Sequence, residues 1–288
     1  MSSNRAVKKI RYVLKWMPDR LYIQLNYFAH FHRFANLVKP STFNEKLNWL
    51  KLHDHNPLYT QMADKYAVKA LVESAVGSEY LIPTIGVWNS FDEIDFDSLP
   101  QSFVLKCTHD SEGIVIIRDK NNMDKKAIKK KITTALKQNY YYIGREWPYK
   151  NIKPRIIAEP FFIDDETGEL RDYKFLCFNG LPKLLFVASD RGKDQVKFDF
   201  FDMRFKHLSI RQKYPNSLIT IKKPDRFDEM ITVCKKLAEG IPHVRVDLYE
   251  MNGKVYFGEL TLYHFGGFVP FQPEEWDKRL GEYIILNI

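Results

Sequence analysis

Near one end of the chain, Arg245-Val246-Asp247-Leu248-Tyr249 and Val255-Tyr256-Phe257-Gly258-Glu259-Leu260-Thr261 flank Asn252-Gly253, a dipeptide that favours a type I′ turn. Strands paired about that turn set Asp247 and Glu259 close to opposite one another. Two carboxylates so placed repel, and one of them has a raised pKa unless a cation compensates. Magnesium takes oxygen ligands and is commonly held by one or two carboxylates together with substrate phosphates. The other reading of the pair is a solvated sheet end.

A second piece is Phe103-Val104-Leu105-Lys106, which runs into the polar loop Cys107-Thr108-His109-Asp110-Ser111-Glu112-Gly113 before another apolar strand. An ammonium closing a buried strand needs a partner, and a loop of small and polar residues offers backbone N–H groups to phosphates. The chain has no GxxxxGK(S/T) and no GxGxxG, so neither a P-loop nor a dinucleotide-binding fold is predicted. In a third piece, Glu159 and Pro160 interrupt an apolar strand from Ile156 to Ile163. After it, alternation sets Asp172, Lys174 and Leu176 on one face of a strand, where Asp172 and Lys174 can pair as a salt bridge.

The elements that must position these groups are helical first and mostly β afterwards. Between Lys8 and Phe34 the apolar residues Ile10, Val13, Leu14 and Met17, then Leu21, Leu25 and Phe28, predict amphipathic helices with a turn near Pro18. Their exposed face is expected to be basic and aromatic, suited either to an anionic membrane surface or to capping its own domain. Thr42 with Glu45 forms a capping box for a helix through Leu52, and a second helix is predicted from about Tyr59 to Ser74. From Tyr80 onward short apolar runs bounded by turn residues predict strands at Leu81–Val87, Ser102–Cys107, Gly113–Arg118, Arg155–Ile163, Tyr173–Phe178, Pro182–Ala188 and Lys197–Phe201. Helices are expected at Asp124–Tyr140, whose lysine-rich face is read as solvated rather than as a nucleic-acid site, and at Arg226–Glu239.

A composition of 45% hydrophobic residues, 15% of the chain being aromatic, excludes disorder, collagen and coiled coil as whole-chain descriptions. Forty-four basic residues against 36 acidic ones favour anionic partners in general and DNA weakly. Cys107, Cys177 and Cys234 contain no CxxC and suggest neither a disulfide framework nor a zinc site. The longest apolar runs fall far short of the roughly 20 residues that span a bilayer. No apolar stretch of signal-peptide length follows the basic first residues, so a cytoplasmic location is expected.

Taken in order, the Lys106 strand and loop, a basic helix, the Glu159 strand, Asp172 with Lys174, and the Asp247–Glu259 hairpin resemble the parts of an ATP-grasp enzyme. Upstream, Ala63-Asp64-Lys65-Tyr66-Ala67-Val68-Lys69 and Leu81-Ile82-Pro83 resemble that superfamily's Asp-Lys-x-x-x-Lys helix and the stretch that follows it. Thr42-Phe43-Asn44-Glu45-Lys46-Leu47 and Asp172-Tyr173-Lys174-Phe175 are similar to the TupA-like branch, found among surface-polysaccharide genes and often labelled glycosyltransferase.

The resemblance implies an α+β fold in which two subdomains clasp a nucleotide. It implies a helical N-terminal region at 1–80, a lid subdomain with its hinge at 81–160, and a C-terminal subdomain with the metal-binding hairpin at 161–288. ATP and Mg2+ are the expected cofactors. Lys106 is expected on the α- and β-phosphates, with Lys65, Lys69, His109 and Ser111 around the nucleotide. Glu159 is expected beside the adenine amino group, Phe161 in the hinge, and Asp172 by the ribose. Arg191 is the candidate cation facing the transferring phosphoryl group, with Lys174 also catalytic. Asp247 and Glu259 would hold magnesium, with Thr261 where the superfamily usually has asparagine. The implied activity is carboxylate–amine ligation through an acyl phosphate, acting on small-molecule or glycan acids and amines, with no nucleic acid. The competing class, a glycosyltransferase, would want a metal-binding DxD. Asp95-Phe96-Asp97 has that spelling but reads as a surface turn.

Overall fold

The computed structural model describes residues 14–162, 171–189, 196–217 and 219–286. In chain order the helices are α1 (Asp19–Phe31), α2 (Phe43–His53), α3 (Leu58–Ala63), α4 (Val68–Val76), α5 (Lys125–Leu136), α6 (Tyr141–Gly144), α7 (Phe227–Leu237) and α8 (Glu275–Glu282). The strands are β1 (Gly86–Trp88), β2 (Phe103–Cys107), β3 (Ile114–Ile117), β4 (Ile156–Pro160), β5 (Asp172–Phe178), β6 (Leu181–Ser189), β7 (Lys197–Asp202), β8 (His207–Leu208), β9 (His243–Met251) and β10 (Lys254–Thr261). The chain divides into two compact units, one of Met1–Asn56 with Asp164–Ile288, the other of Pro57–Ile163. The helical stretch expected as one region at 1–80 is therefore shared between them. No helix among the described residues is long and apolar enough to cross a membrane.

The Pro57–Ile163 unit is built on an antiparallel sheet of order β1-β4-β2-β3. Phe103, Leu105, Ile156 and Ala158 from this sheet pack with Ile128 and Ile132 of α5 and with Phe91 and Phe96. Asp124 caps α5 by accepting from the Ala127 N–H at 3.0 Å, and the helix ends at Leu136, short of the expected Tyr140. The predicted helix from Tyr59 to Ser74 is two helices. Asp64 breaks it, because its carboxylate accepts the N–H groups of Tyr66 and Ala67 and pairs with Arg155 at 2.8 Å. The expected strand at Leu81–Val87 is reduced to β1, since Pro83 has no N–H to give to a ladder. Asp95 and Asp97 lie in an exposed turn in which Asp95 accepts the N–H of Asp97.

The larger unit carries an antiparallel sheet of order β10-β9-β5-β6-β7-β8. α7 packs against β5, β6 and β9, with Phe227 against Phe175. At the β9–β10 turn Asn252 and Gly253 adopt φ of 51° and 73°, the left-handed pair that a type I′ hairpin demands. Register shifts between Phe257 and Glu259, leaving Gly258 as the extra residue of a bulge. A Cβ there would lie 2.9 Å from the Tyr249 ring and 3.0 Å from the Asp247 carbonyl oxygen. α2 opens with the predicted capping box, and its Asn44 donates twice to Asp277 of α8, at 2.9 and 2.8 Å.

α1 departs from expectation in which side it buries. Tyr22, Ile23 and Tyr27 are the buried residues, while Leu21, Leu25 and Phe28 face solvent. The buried side joins Ala35, Leu37 and Phe268 in a small core. The predicted helical turns before Pro18 fall largely on residues 1–13, outside the described residues.

Candidate active site

In the Pro57–Ile163 unit, β2 and β4 run side by side with Val104 opposite Glu159 and Lys106 opposite Ile157. Lys106 and Glu159 thus share a face, one diagonal step apart. The Lys106 ammonium donates to Glu159 Oε2, and Lys69 reaches Glu159 Oε1 at 2.6 Å from α4. Burial alone would push the Glu159 carboxyl up, but Lys106 and Lys69 outweigh it and hold it below its ordinary value. Burial lowers Lys69, and Glu159 counters only part of that shift. The Lys69 Nζ also donates to the Ile82 carbonyl and Thr84 Oγ1, each at 2.7 Å, so its three donors are committed. Among the described residues Lys106 has Glu159 as its partner, and its side chain is 21% exposed. Two ammoniums on one carboxylate leave this trio with a net charge of +1.

Lys65 is not part of the trio. Its ammonium donates to the Asp110 carbonyl and its N–H to the Thr108 carbonyl, bracing the polar loop. Within that loop the Asp110 carboxylate accepts the Gly113 N–H, and His109 is buried with Nε2 against the carbonyls of Ala135 and Gln138, at 3.2 and 3.1 Å. His109 therefore ties the loop to the end of α5, whereas Ser111 is exposed at the loop's tip. Phe161 follows β4, and the Arg118 guanidinium lies 5.0 Å from its ring centre.

In the larger unit three strands align a row of charge: Lys174 on β5 is paired with Asp247 on β9, and Asp247 with Glu259 on β10. Lys174 donates to Asp247 Oδ2 and reaches Asp172 at 2.7 Å, so the salt bridge foreseen within β5 extends to a second carboxylate. The residue that sequence reasoning missed is Arg245. Its Nε meets Asp247 Oδ1 at 2.6 Å, while its Nη2 meets Asp247 Oδ2 at 2.7 Å and Glu259 Oε1 at 2.8 Å. The compensating cation between the two acids is thus a guanidinium. The available signal was Arg-x-Asp within one strand, since alternate residues share a face. His264, buried and held below its ordinary pKa by burial and by Arg245, is neutral. It accepts from Arg245 at Nδ1 and donates to Gln212 Oε1 at Nε2, 2.8 Å away.

Asp247 is wholly buried, and burial pushes it up to about 6 against the pull of Arg245 and Lys174. Glu259, by contrast, keeps 38% of its side chain exposed, and the Thr261 hydroxyl lies 3.4 Å from its Oε1. Asp172, Asp247 and Glu259 converge on Lys174 and Arg245. No group of three or more His, Cys, Asp and Glu among the described residues could hold a metal by itself. Both oxygens of buried Asp247 are engaged by Arg245 and Lys174, whereas Glu259 reaches solvent. Arg191 falls outside the described residues.

The family profile described as TupA-like ATPgrasp matches residues 45–285. Among solved structures, the D-alanine--D-alanine ligase of Bacillus anthracis complexed with ATP is 13% identical with a TM-score of 0.41, covering 70% of this chain and 54% of its own. The D-alanine-D-alanine ligase of Helicobacter pylori is 13% identical with a TM-score of 0.43, covering 85% of this chain and 70% of its own. A RimK domain ATP-grasp protein of Sphaerobacter thermophilus is 10% identical with a TM-score of 0.44, covering 78% of this chain and 69% of its own. The chain spans just over half the length of the Bacillus anthracis enzyme. No curated protein matches it.

Proposed function

The chain belongs to the TupA-like ATP-grasp family, and on that footing we propose that it is an ATP-dependent carboxylate–amine ligase. Its acid substrate is a uronic acid or related intermediate of a cell-surface polysaccharide, joined to an amino compound in the cytoplasm, in peripheral contact with the inner membrane surface. The observation that carries the reading is the Lys69–Glu159–Lys106 trio, in which one carboxylate holds two ammoniums and Lys106 keeps donors for phosphate oxygens.

Lys106 takes the α- and β-phosphates, oriented by Glu159, while Lys69 fixes Glu159 from the other side. The backbone following Glu159, through Phe161, takes the adenine, and Ser111 at the loop tip approaches the phosphates. Lys65 and His109 act by shaping that loop. Asp172 serves the ribose.

A carboxylate oxygen of the acid attacks the γ-phosphorus, and ADP leaves. The amine nitrogen then attacks the acyl carbon of the acyl phosphate, which expels phosphate and releases a proton. Lys174 and Arg245 hold Asp247 from two sides. Asp247 and Glu259, with Thr261 beside Glu259, would hold magnesium, which when bound neutralises phosphate charge. The protein's contribution is mainly positioning and charge placement.

The test is to incubate the protein with ATP, magnesium and paired candidate acids and amines. ADP and phosphate are expected only when both partners are present. Consumption of a UDP-sugar with no use of ATP would overturn the assignment in favour of glycosyl transfer.

A further inference from the structure

α1 is apolar on two sides. One side, Tyr22, Ile23 and Tyr27, is buried. On the other, Leu21, Leu25 and Phe28 recur at helical spacing and stay 46–50% exposed. Phe34 extends this stripe by packing on Phe28 with ring centres 5.0 Å apart, and Trp16 stands exposed in the turn before the helix. A surface helix ordinarily turns polar residues outward, and apolar residues scattered singly need no explanation. A continuous stripe ending in two aromatic rings does need one.

Charge indicates what covers the stripe. Residues 1–40 contain eight lysines and arginines against one acidic residue, Asp19, and only Arg33 of the described basic residues among them is answered from outside the segment, by Glu45 at 2.8 Å. Lys15, next to Trp16, and Arg20, next to Leu21, are both exposed. A second copy of the chain laid on this face would bring two segments of the same sign together. An anionic bilayer instead receives the apolar side chains at its headgroup boundary while its phosphates meet the lysines and arginines.

We propose that α1 is an in-plane membrane anchor, with Leu21, Leu25 and Phe28 entering the interface of a bilayer rich in anionic lipid. The inference deepens the peripheral location proposed above and rests on that part of the reading, while standing apart from the ligase chemistry.

The test mixes the full-length protein with vesicles of phosphatidylglycerol and phosphatidylethanolamine, or of phosphatidylcholine alone, and reads the bound fraction by sedimentation at low and high salt. Binding to the anionic vesicles is expected to be tighter by at least about tenfold, with the margin shrinking as salt screens the charges. Leu25→Ser with Phe28→Ser is expected to weaken that binding by about tenfold or more, and Lys15→Glu with Arg20→Glu by a similar factor. These side chains are exposed, so both variants should keep the wild-type melting temperature. Equal binding to the two vesicle types, or unchanged binding by the Leu25/Phe28 variant, overturns the anchor. A dimer that the same two substitutions abolish, without vesicle binding, also overturns it and assigns the face to a second copy. ATP turnover is followed in parallel: vesicle binding without turnover keeps the anchor and counts against the ligase, and turnover without vesicle binding does the reverse.

Discussion

The two ionic clusters use the same kinds of side chain in opposite proportions, two lysines on one carboxylate in the first and three carboxylates on two cations in the second. In the Pro57–Ile163 unit Glu159 holds two ammoniums, and the surplus positive charge lies on a lysine that reaches solvent. In the larger unit three carboxylates share Lys174 and Arg245, and Glu259 is the most exposed of the five side chains. On the function proposed above, the lysine-rich cluster serves phosphate oxygens and the carboxylate-rich one a cation.

The most severe way to break this contrast is Glu259→Gln, which keeps the shape and removes the charge. Turnover should be abolished, and the rise in melting temperature that magnesium-ATP gives the wild type through binding linkage should vanish. A variant with both intact would mean that the carboxylate-rich cluster is structural. Lys106→Ala tests the other cluster. Losing a charge-assisted bond worth about 1.5 to 3 kcal/mol should weaken ATP binding at least tenfold by calorimetry, with Glu159 still held by Lys69. Unchanged affinity would remove the phosphate assignment.

The smallest expected effect, and the sharpest on the contrast itself, is the pH dependence of stability. Glu159 lies below its ordinary value when folded, so its contribution is present above that value and is lost as pH falls through the folded pKa. Asp247 lies above its ordinary value, at about 6, so its contribution is present in acid and is lost as pH rises from about 4 through 6, by at most about 3 kcal/mol. Thermal melts across pH should therefore show Glu159→Gln flattening the acid limb and Asp247→Asn flattening the fall between about 4 and 6. If both substitutions altered the same limb, the two burial environments would not differ as described.

What the sequence made legible was local. Asn252-Gly253 fixed the hairpin because a type I′ turn dictates its own register, and Thr42 with Glu45 fixed the start of α2 because both halves of the box lie within four residues. Lys106 stood out because a cation ending a buried strand must be answered. Its answer, Glu159, was read separately as an adenine contact, since the meeting of β2 with β4 is tertiary. The break at Asp64 was hidden for the same reason, its partner Arg155 being 91 residues away. Periodicity showed that Leu21, Leu25 and Phe28 share a face but not that the face is outward. That depends on Tyr22, Ile23 and Tyr27 finding Phe268 from the far end of the chain. Arg245 was legible and overlooked: it lies two residues before Asp247, and its charge answered the repulsion that had suggested a metal.

The bulge at Gly258 divides a single strand between two kinds of selection. Before it, Val255 and Phe257 are buried and answer to volume. After it the extra residue has reversed the alternation, so Glu259 and Thr261 stand opposite Asp247 and Arg245 and answer to charge. In evolutionary terms the two halves are subject to different constraints. The tip of the hairpin can exchange one apolar side chain for another without turning an acid away from its row. Gly258 alone lacks that freedom, because any side chain there runs into the Tyr249 ring and the Asp247 carbonyl.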